Sequence, residues 1–263
     1  MAYGAVVFTI CCMNPDIELI SIGSELLSGR TLNTHAQTLG SALVKIGLRL
    51  SRDTTVPDES ETIRSAVHEA LERTDIVVVS GGLGPTSDDI TRAALGKLFK
   101  RDIVMSPEAL GELRKRYTER GRDLTPAAER QALILDGAVT LLNSVGAAPG
   151  ERLDLPGGRT LFIVPGPPGE FAAVLEERII PWLREQFRDA VPLEERLILT
   201  EGIGESDIVT RLEEAGFQTS EISVGFYPGF GKVEIRLSAS KEHLWALDAA
   251  EGTLRDILHD HLA

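Results

Sequence analysis

A glycine-rich stretch that runs into two adjacent carboxylates has the clearest chemical content in the sequence. It reads SGGLGPTSDD at residues 80–89 and follows an apolar run. Gly81, Gly82 and Gly84 allow the backbone to approach a ligand closely, and Pro85 stiffens the turn. The helix predicted to follow adds unpaired N–H groups and a positive dipole end, so the segment is typical of an anion cradle. It lacks the lysine of a P-loop and does not match G-x-G-x-x-G, and an ordinary tight strand-to-helix turn is the alternative interpretation.

Asp88 and Asp89 allow two interpretations. Asp is favoured at the N-cap and in the first turn of a helix, and Asp88 fits the capping position, with Thr91 three residues further on. Capping accounts for one carboxylate and leaves the second unexplained. A pair of acids beside a phosphate cradle is compatible with a divalent cation, because Mg²⁺ is typically held by one or two carboxylates plus substrate phosphates. Metal-assisted phosphate chemistry and pure capping both stay open at this point.

Strand-like and helix-like segments alternate along the chain and would position this loop. Short apolar runs predict strands at 17–22, 48–56, 75–80, 139–142 and 160–164. Amphipathic periodicity predicts helices at 31–46, 60–71, 88–99, 107–121, 127–135 and 169–187. This alternation predicts an α/β fold with a doubly wound, mostly parallel sheet and helices on both faces. Ligands of such sheets bind at the carboxyl ends of the strands.

Three further loops fall on the same predicted edge. Glu25 is a lone acid after the first strand, with a capping or solvated side chain as the alternative. Asp58 ends the second strand, where helix capping together with Ser60 is the alternative. The stretch PGPPGE at 165–170 is a stiff, shaped turn, or a rigid helix start with proline in the first turn.

The alternation of strands and helices typical of a parallel sheet ends near residues 190–192. Strand-like runs at 195–203, 222–228 and 232–240 and helical runs at 205–214 and 241–261 predict a small C-terminal α+β unit. We therefore predict an extra leader at 1–15, an α/β domain at 16–190 and a small α+β domain at 191–263. The folded domain is expected to begin near Met13, with a genuine extra strand as the alternative for the leader, to which no function is assigned.

The bulk properties exclude several classes of protein. A formal net charge of −13 and a pI of about 4.9 argue against non-specific nucleic-acid binding, which needs a basic surface. The apolar run at 5–13 is shorter than the ~20 residues of a membrane span and lacks the preceding basic residues of a secretory signal. Cys11 and Cys12 form neither a disulfide framework nor a zinc spacing, which favours a reducing, cytoplasmic location. No nucleic-acid or membrane partner is expected.

A set of motifs in a fixed order resembles one known family. The motifs are GSELLSGRTLNTHAQ (23–37), VPDE (56–59), SGGLGPTSDDITRAAL (80–95), ERQA (129–132), NSVGAAPG (143–150) and VPGPPGE (164–170), followed by GIGESDIV (202–209) and GKVEIRLSA (231–239). Together they resemble the competence/damage-inducible protein CinA family. The first six motifs, at 23–170, are similar to its N-terminal molybdopterin-binding-like domain, and the last two are similar to the small second region of the same proteins. The resemblance covers residues from about 16 to 263.

The resemblance implies a fold related to enzymes that adenylylate or metallate molybdopterin. It also implies metal-dependent hydrolysis of nucleotide pyrophosphates, notably of ADP-ribose to AMP and ribose 5-phosphate, with Mg²⁺ or a similar divalent metal cation as cofactor. Longer members carry a C-terminal nicotinamide-nucleotide amidase domain that the resemblance does not include, so amidase activity is not expected here. Both a stand-alone form and a fragment of a longer chain are compatible with this.

The resemblance further implies site residues. Asp89 and Asp58 match acids that are expected to be catalytic, and Asp88 is the extra acid expected to bind metal together with Asp89. The positions that match substrate-binding residues lie in three loops: Ser24, Glu25 and Asn33; Gly81, Gly82, Gly84, Pro85 and Thr86; and Gly166 and Pro167.

Two alternatives to an enzyme remain. One is a module that binds a molybdopterin or nucleotide without significant turnover, since fold does not fix chemistry. The other is an assembly protein whose small C-terminal unit mediates dimerisation. The expected partners are therefore a small-molecule nucleotide or pterin and a second copy of the chain, in a homodimer.

Overall fold

The structure, a computed structural model, describes residues 15–263. The chain divides into two compact units, one ending at Ala190 and the other running from Val191 to Ala263. The leader predicted at 1–15 lies, apart from Pro15, outside the described residues, and so does the domain start predicted near Met13.

Two sheets are described in the first unit. Its strands are β1 (Ile17–Ile22), β2 (Leu50–Val56), β3 (Ile76–Ser80), β4 (Ile103–Met105), β5 (Leu133–Leu135), β6 (Val139–Leu141), β7 (Gly150–Asp154) and β8 (Thr160–Val164). The main sheet has the order β2-β1-β3-β8-β7-β6, and β4 and β5 form a separate antiparallel pair. The pairs β1–β2, β1–β3 and β3–β8 are parallel, whereas β7 is antiparallel to both β6 and β8. The prediction of a mostly parallel sheet is confirmed.

Helices cover both faces of the main sheet. They are α1 (Ser24–Leu27), α2 (His35–Val44), α3 (Ser60–Arg73), α4 (Thr91–Phe99), α5 (Pro107–Glu119), α6 (Pro126–Glu129), α7 (Pro168–Val174) and α8 (Ile180–Gln186), with a π-helical segment at Leu175–Ile179 and 3₁₀ turns at Arg130–Ala132 and Pro156–Gly158. Side chains that alternate along β1 produce the two layers. Ile17 and Leu19 pack with α2 and α7, whereas Ile20 and Ile22 pack with α3 and α4. The doubly wound prediction is confirmed, and β1 and β3 are buried throughout, as strands covered on both faces should be.

The helix after the glycine-rich stretch begins later than predicted. α4 begins at Thr91 rather than at Asp88. Residues 86–89 instead form a turn in which Asp89 N–H donates to Thr86 O at 3.2 Å. The glycine loop is therefore longer than the sequence pattern indicated.

Two other predicted helices were also too long. The helix predicted at 127–135 is wrong in its last part, because Leu133–Leu135 pairs with β4. Short apolar runs in strands and buried helices cannot be separated by periodicity. The helix predicted at 31–46 begins only at His35, since a short α1 and a loop occupy the residues before it.

The second unit is a three-stranded antiparallel sheet with two helices. Its elements are β9 (Glu194–Glu201), α9 (Glu205–Glu214), β10 (Ser223–Gly229), β11 (Lys232–Ala239) and α10 (Leu244–Ile257), with 3₁₀ turns at Lys241–His243 and His259–His261. In β11, Val233, Ile235 and Leu237 are buried against the helices, and Lys232 and Arg236 are exposed. This alternation confirms the predicted α+β unit. Across residues 15–263, no helix is long and apolar enough to cross a membrane.

Candidate functional site

The loops that follow β1, β2, β3 and β8 meet at the carboxyl edge of the main sheet and enclose a cleft of about 780 Å³. Gly23 N–H donates to Val56 O at 3.0 Å, and Gly81 N–H donates to Val164 O at 3.1 Å, so hydrogen bonds join neighbouring loops. The chain leaves β1 and β8 towards the face covered by α2 and α7, and it leaves β3 towards the face covered by α4. The cleft therefore lies at a topological switch point, where open α/β sheets bind ligands. Its volume is that of a small-molecule pocket.

Gly81 and Gly82 are required by the local backbone. Their φ angles are +110° and +65°, which side chains other than glycine rarely adopt. A Cβ atom on Gly81 would collide with Ile22 O, and one on Gly82 would collide with Thr91 Oγ1. A Cβ atom on Gly166 would lie 3.2 Å from Gly81 Cα. The glycines thus let three loops approach each other at the floor of the cleft.

Three carbonyl oxygens of the glycine loop are held from the side of α4. Thr91 Oγ1 donates to Gly81 O at 2.8 Å, and Thr91 N–H donates to Gly82 O at 3.3 Å. Arg92 Nη1 donates to Leu83 O at 3.0 Å. The first two residues of the helix therefore fix the orientation of three successive peptide units.

The N–H groups of the same peptide units point the other way. In a trans peptide the N–H is opposite to the C=O, so the N–H groups of Gly82, Leu83 and Gly84 are directed away from α4. Among the described residues, none of these three groups has a hydrogen-bond acceptor. Successive unpaired N–H groups in a turn form an anion-binding nest. Gly82 lines the cleft directly.

Asp88 and Asp89 have different environments. Asp89 Oδ2 accepts hydrogen bonds from Thr86 N–H at 2.8 Å and Thr86 Oγ1 at 2.6 Å, which closes the turn before α4. Asp88 is exposed and accepts a bond from Ser87 Oγ at 3.2 Å. In the part of the chain that the structure describes, residues 15–263, no side chain caps α4. The interpretation that Asp88 caps this helix is therefore wrong, because the helix begins three residues later.

Asp58 joins two loops instead of capping a helix. Its Oδ2 accepts from Ser24 N–H at 2.8 Å, and its own N–H donates to Ser24 Oγ at 3.3 Å. The residue that precedes α3 is Glu59, and no side-chain cap is present there. Glu25, in the same β1 loop as Ser24, folds its carboxylate back over Gly23, where a Cβ atom would lie 2.5 Å from Oε1.

Asn33 and His35 form the wall of the cleft below α2. Asn33 Oδ1 accepts from His35 N–H at 3.1 Å, and Asn33 Nδ2 donates to Thr55 Oγ1 at 3.3 Å. The His35 ring is 6% exposed and stacks on Phe171 at a centroid distance of 4.3 Å. Burial lowers the pKa of His35, although a hydrogen bond to the Gly166 backbone opposes this shift. Nδ1 has no partner among the described residues.

The structure brings most of the predicted site residues together. Gly84, Pro85 and Thr86 are exposed and do not line the cleft. The remaining predicted residues line it: Ser24, Glu25, Asn33, Asp58, Gly81, Gly82, Asp88, Asp89, Gly166 and Pro167. The cleft is also lined by residues that were not predicted as site residues, among them Leu26, Thr31, Leu32, Thr34, His35, Ser87, Ile90 and Pro168. Several of these lie inside the motif at 23–37, which was the available signal.

A metal ion would find few protein ligands at this site. Within residues 15–263, no group of three or more His, Cys, Asp or Glu side chains could hold one. A third ligand from Asp58, beside Asp88 and Asp89, is therefore not supported. Asp88 and the Oδ1 atom of Asp89 remain as possible donors. Two carboxylates fit a Mg²⁺-type cation that takes its other ligands from water and substrate phosphates.

The chain matches known proteins over both units. Residues 18–185 match the family described as probable molybdopterin binding domain, and residues 195–262 match the damage-inducible protein CinA KH domain. A CinA-like protein of Gemmatimonas aurantiaca is 37% identical over 243 residues, which are 91% of this chain and 56% of that relative. A CinA-like protein of Salinibacter ruber is 35% identical over 249 residues, which are 93% of this chain and 60% of that relative. The chain thus spans a little over half the length of these curated relatives.

A solved structure supports the architecture of the first unit. It is the crystal structure of the protein CinA, of unknown function, from Thermoplasma acidophilum. The two chains share 38% sequence identity with a TM-score of 0.57, and the match covers 64% of this chain and 98% of the other.

Proposed function

Since the chain belongs to the CinA family, with a molybdopterin-binding-like domain followed by a CinA KH domain, we propose that it hydrolyses a nucleotide pyrophosphate with the help of a divalent cation. The proposed reaction converts an ADP-ribose-like substrate to AMP and ribose 5-phosphate. One observation carries the proposal: the Gly82 N–H, which has no acceptor among the described residues, and the exposed Asp88 carboxylate line the same cleft of small-molecule size.

The glycine loop supplies the electrostatic part of the mechanism. The Gly82 N–H, which lines the cleft, donates to a phosphoryl oxygen of the bound diphosphate, and the N–H groups of Leu83 and Gly84 add to the positive potential behind it. The amino end of α4 adds its dipole on the same side. Because Thr91 and Arg92 hold the carbonyl oxygens in place, these donors are oriented before the ligand binds and stabilise charge that develops on the phosphate.

The acids have separate roles. Asp88 and Asp89 Oδ1 would hold the cation, which when bound neutralises phosphate charge and lowers the pKa of a coordinated water. Asp89 Oδ2 keeps the turn at Thr86 closed. Asp58 fixes Ser24 and therefore the β1 loop. In this scheme Asp58 is a positioning residue rather than a catalytic one.

A second candidate is a nucleotide- or pterin-binding protein without significant turnover. It is favoured by the small number of free carboxylates, since one oxygen each of Asp58 and Asp89 already accepts hydrogen bonds. Tight binding of AMP without product formation from any nucleotide pyrophosphate would support this second candidate.

The test is hydrolysis of ADP-ribose by the purified chain with and without Mg²⁺ or Mn²⁺, read by identification of AMP and ribose 5-phosphate. Asp88→Asn should abolish most of the turnover and leave the melting temperature unchanged, because Asp88 is exposed and holds no loop. Asp123→Asn changes the net charge equally at an exposed position outside the cleft and is the matched control. Metal-independent turnover, or full activity of Asp88→Asn, would refute the proposed mechanism.

A further inference from the structure

A buried ion pair lies directly behind the glycine loop. Arg92 Nε donates to Glu151 Oε1 at 2.6 Å, and the two side chains are 8% and 0% exposed. Arg92 comes from the first turn of α4, and Glu151 comes from β7, in the antiparallel part of the sheet. The pair thus joins the loop that lines the cleft to a strand that does not contribute to it.

The polar atoms of Arg92 and Glu151 that do not contact each other contact backbone. Arg92 Nη1 donates to Leu83 O at 3.0 Å, and Nη2 donates to Pro149 O at 3.3 Å. Glu151 Oε2 accepts from Leu135 N–H at 2.8 Å. Pro149 belongs to the motif NSVGAAPG at 143–150, and no residue of this motif takes part in the proposed reaction. The pair gives that motif a role, because the Pro149 carbonyl helps to fix the guanidinium that orients Leu83.

Stability alone is a weak reason for such a pair. Removing two charges from water costs about as much as their attraction returns, and apolar replacements of buried pairs are often neutral or stabilising. Burial raises the pKa of Glu151, and the Arg92 charge opposes that rise. A different benefit is visible in the geometry: the planar guanidinium reaches a carbonyl of the loop and a carbonyl of its support at fixed angles.

We propose that Arg92 and Glu151 are positioning residues that hold the Leu83 carbonyl inward and thereby keep the glycine loop ordered, so that the Gly82 N–H stays directed at a phosphate in the cleft. The phosphate part of this statement rests on the proposed function, whereas the ordering of the loop does not. Loss of the pair should loosen the loop and weaken the binding of phosphate-containing ligands without unfolding the domain.

The experiment compares the full chain with two double variants. Arg92→Met/Glu151→Leu removes both charges of the pair. A single replacement would instead leave one buried charge without a partner. Arg73→Met/Glu18→Leu is the matched control, because Arg73 Nε and Nη2 each donate to the buried Glu18 carboxylate at 2.7 Å, at the amino edge of the same sheet. Among the described residues, its further partners are the Glu69 carbonyl and Arg52, which do not line the cleft.

Three quantities are measured for each protein. They are the melting temperature, the backbone ¹⁵N order parameters of Gly82, Leu83 and Gly84 with the amide exchange rate of Thr91, and the Kd of AMP and of pyrophosphate in the presence of Mg²⁺. Both double variants are expected to stay folded, and Arg92→Met/Glu151→Leu should melt below the wild type because Leu83 O, Pro149 O and Leu135 N–H lose their partners. Only Arg92→Met/Glu151→Leu should lower the loop order parameters from ~0.85 towards ~0.6 and raise both Kd values about tenfold.

Several results would overturn the proposal. Unchanged loop order and Thr91 exchange in a folded Arg92→Met/Glu151→Leu variant would do so, and so would equal loosening of the loop in the control. If Arg92→Met/Glu151→Leu fails to fold while the control folds, the pair serves the stability of the domain and not the positioning of the loop. If the wild type binds neither AMP nor pyrophosphate, the proposed function fails, and the order parameters still decide whether the pair positions the loop.

Discussion

Replacement of Gly82 by alanine tests the packing behind the glycine loop. Gly82 has φ +65°, and a Cβ atom there would collide with Thr91 Oγ1. Gly121 has φ +62°, and no atom of the described residues lies within 4 Å of a Cβ atom placed there. The pair Gly82→Ala and Gly121→Ala therefore separates the cost of the left-handed backbone from the cost of the collision.

The magnitudes follow from these two contributions. The left-handed conformation costs an alanine ~1–2 kcal/mol, partly offset by the lower entropy of its unfolded chain, so Gly121→Ala should lose about 1 kcal/mol. In Gly82→Ala the Thr91 hydroxyl must also move, although Thr91 is fully buried. The buried Gly81 carbonyl then loses its hydrogen bond, which adds ~1–3 kcal/mol. Gly82→Ala should therefore lose about 2–4 kcal/mol in total.

Urea unfolding in a Trp245→Phe background measures these values. Trp245 lies in the second unit, whereas Trp182 packs edge-on against Phe162 in the first. Without Trp245, the fluorescence of Trp182 reports the unfolding of the unit that contains the loop. Thr91→Ala in combination with Gly82→Ala is the decisive addition. Because the hydroxyl bond is already lost in Gly82→Ala, the double variant should be about as stable as Gly82→Ala alone.

Two results would refute this reasoning. The first is a Gly82→Ala loss within ~0.5 kcal/mol of that for Gly121→Ala, which is the usual error of such comparisons. The second is a Gly82→Ala/Thr91→Ala loss equal to the sum of the two single losses, because Thr91 would then not be the group that the new methyl meets.

Three further predictions concern the cleft. As pH falls from ~6.5 towards the lowered pKa of His35, the free energy of unfolding should fall, because the unfolded chain takes up a proton that the buried ring does not. Urea titrations at several pH values should show a smaller dependence of this free energy on pH for His35→Gln. An equal reduction for the exposed His68→Gln would contradict this. Leu32 is 80% exposed on the rim of the cleft, so Leu32→Ser should change stability by less than ~0.5 kcal/mol but weaken AMP binding in calorimetry, and unchanged binding would place the ligand elsewhere. Mg²⁺ and Mn²⁺ alone should show no saturable binding in calorimetry and should bind once AMP is present. The described site offers only two free carboxylate donors, so the phosphate must supply further ligands. Tight binding of the metal alone would contradict this donor set.

Much of the first unit could be predicted because its signals are local. The runs at 17–22 and 160–164 coincide with β1 and β8, since their short length, their content of β-branched residues and the glycine or proline residues that follow them favour strands over helices. The parallel arrangement followed from alternation with helices, and it placed the loops of Asp58, Gly81 and Gly166 on one edge. By contrast, β5 was predicted as part of a helix, because its pairing partner β4 lies 30 residues earlier in the chain.

The roles of the acids were less predictable than their positions. Local preference favoured Asp88 as the helix cap, yet Asp89 closes the turn and the helix begins at Thr91. Side-chain hydrogen bonds in such loops depend on where the neighbouring strand ends and where the next helix can pack. Neither is encoded in a window of a few residues.

By itself, the sequence determined the alternation of strands and helices, the need for glycines at a strand-to-helix turn and the edge at which a ligand would bind. These properties depend on local periodicity and on backbone sterics. Only the tertiary structure decided which carbonyls of the glycine loop are held from behind, how deeply His35 is buried and that Arg92 meets Glu151 from a distant strand. Those features depend on contacts between residues far apart in the chain, whose geometry is set by the packing of the whole sheet.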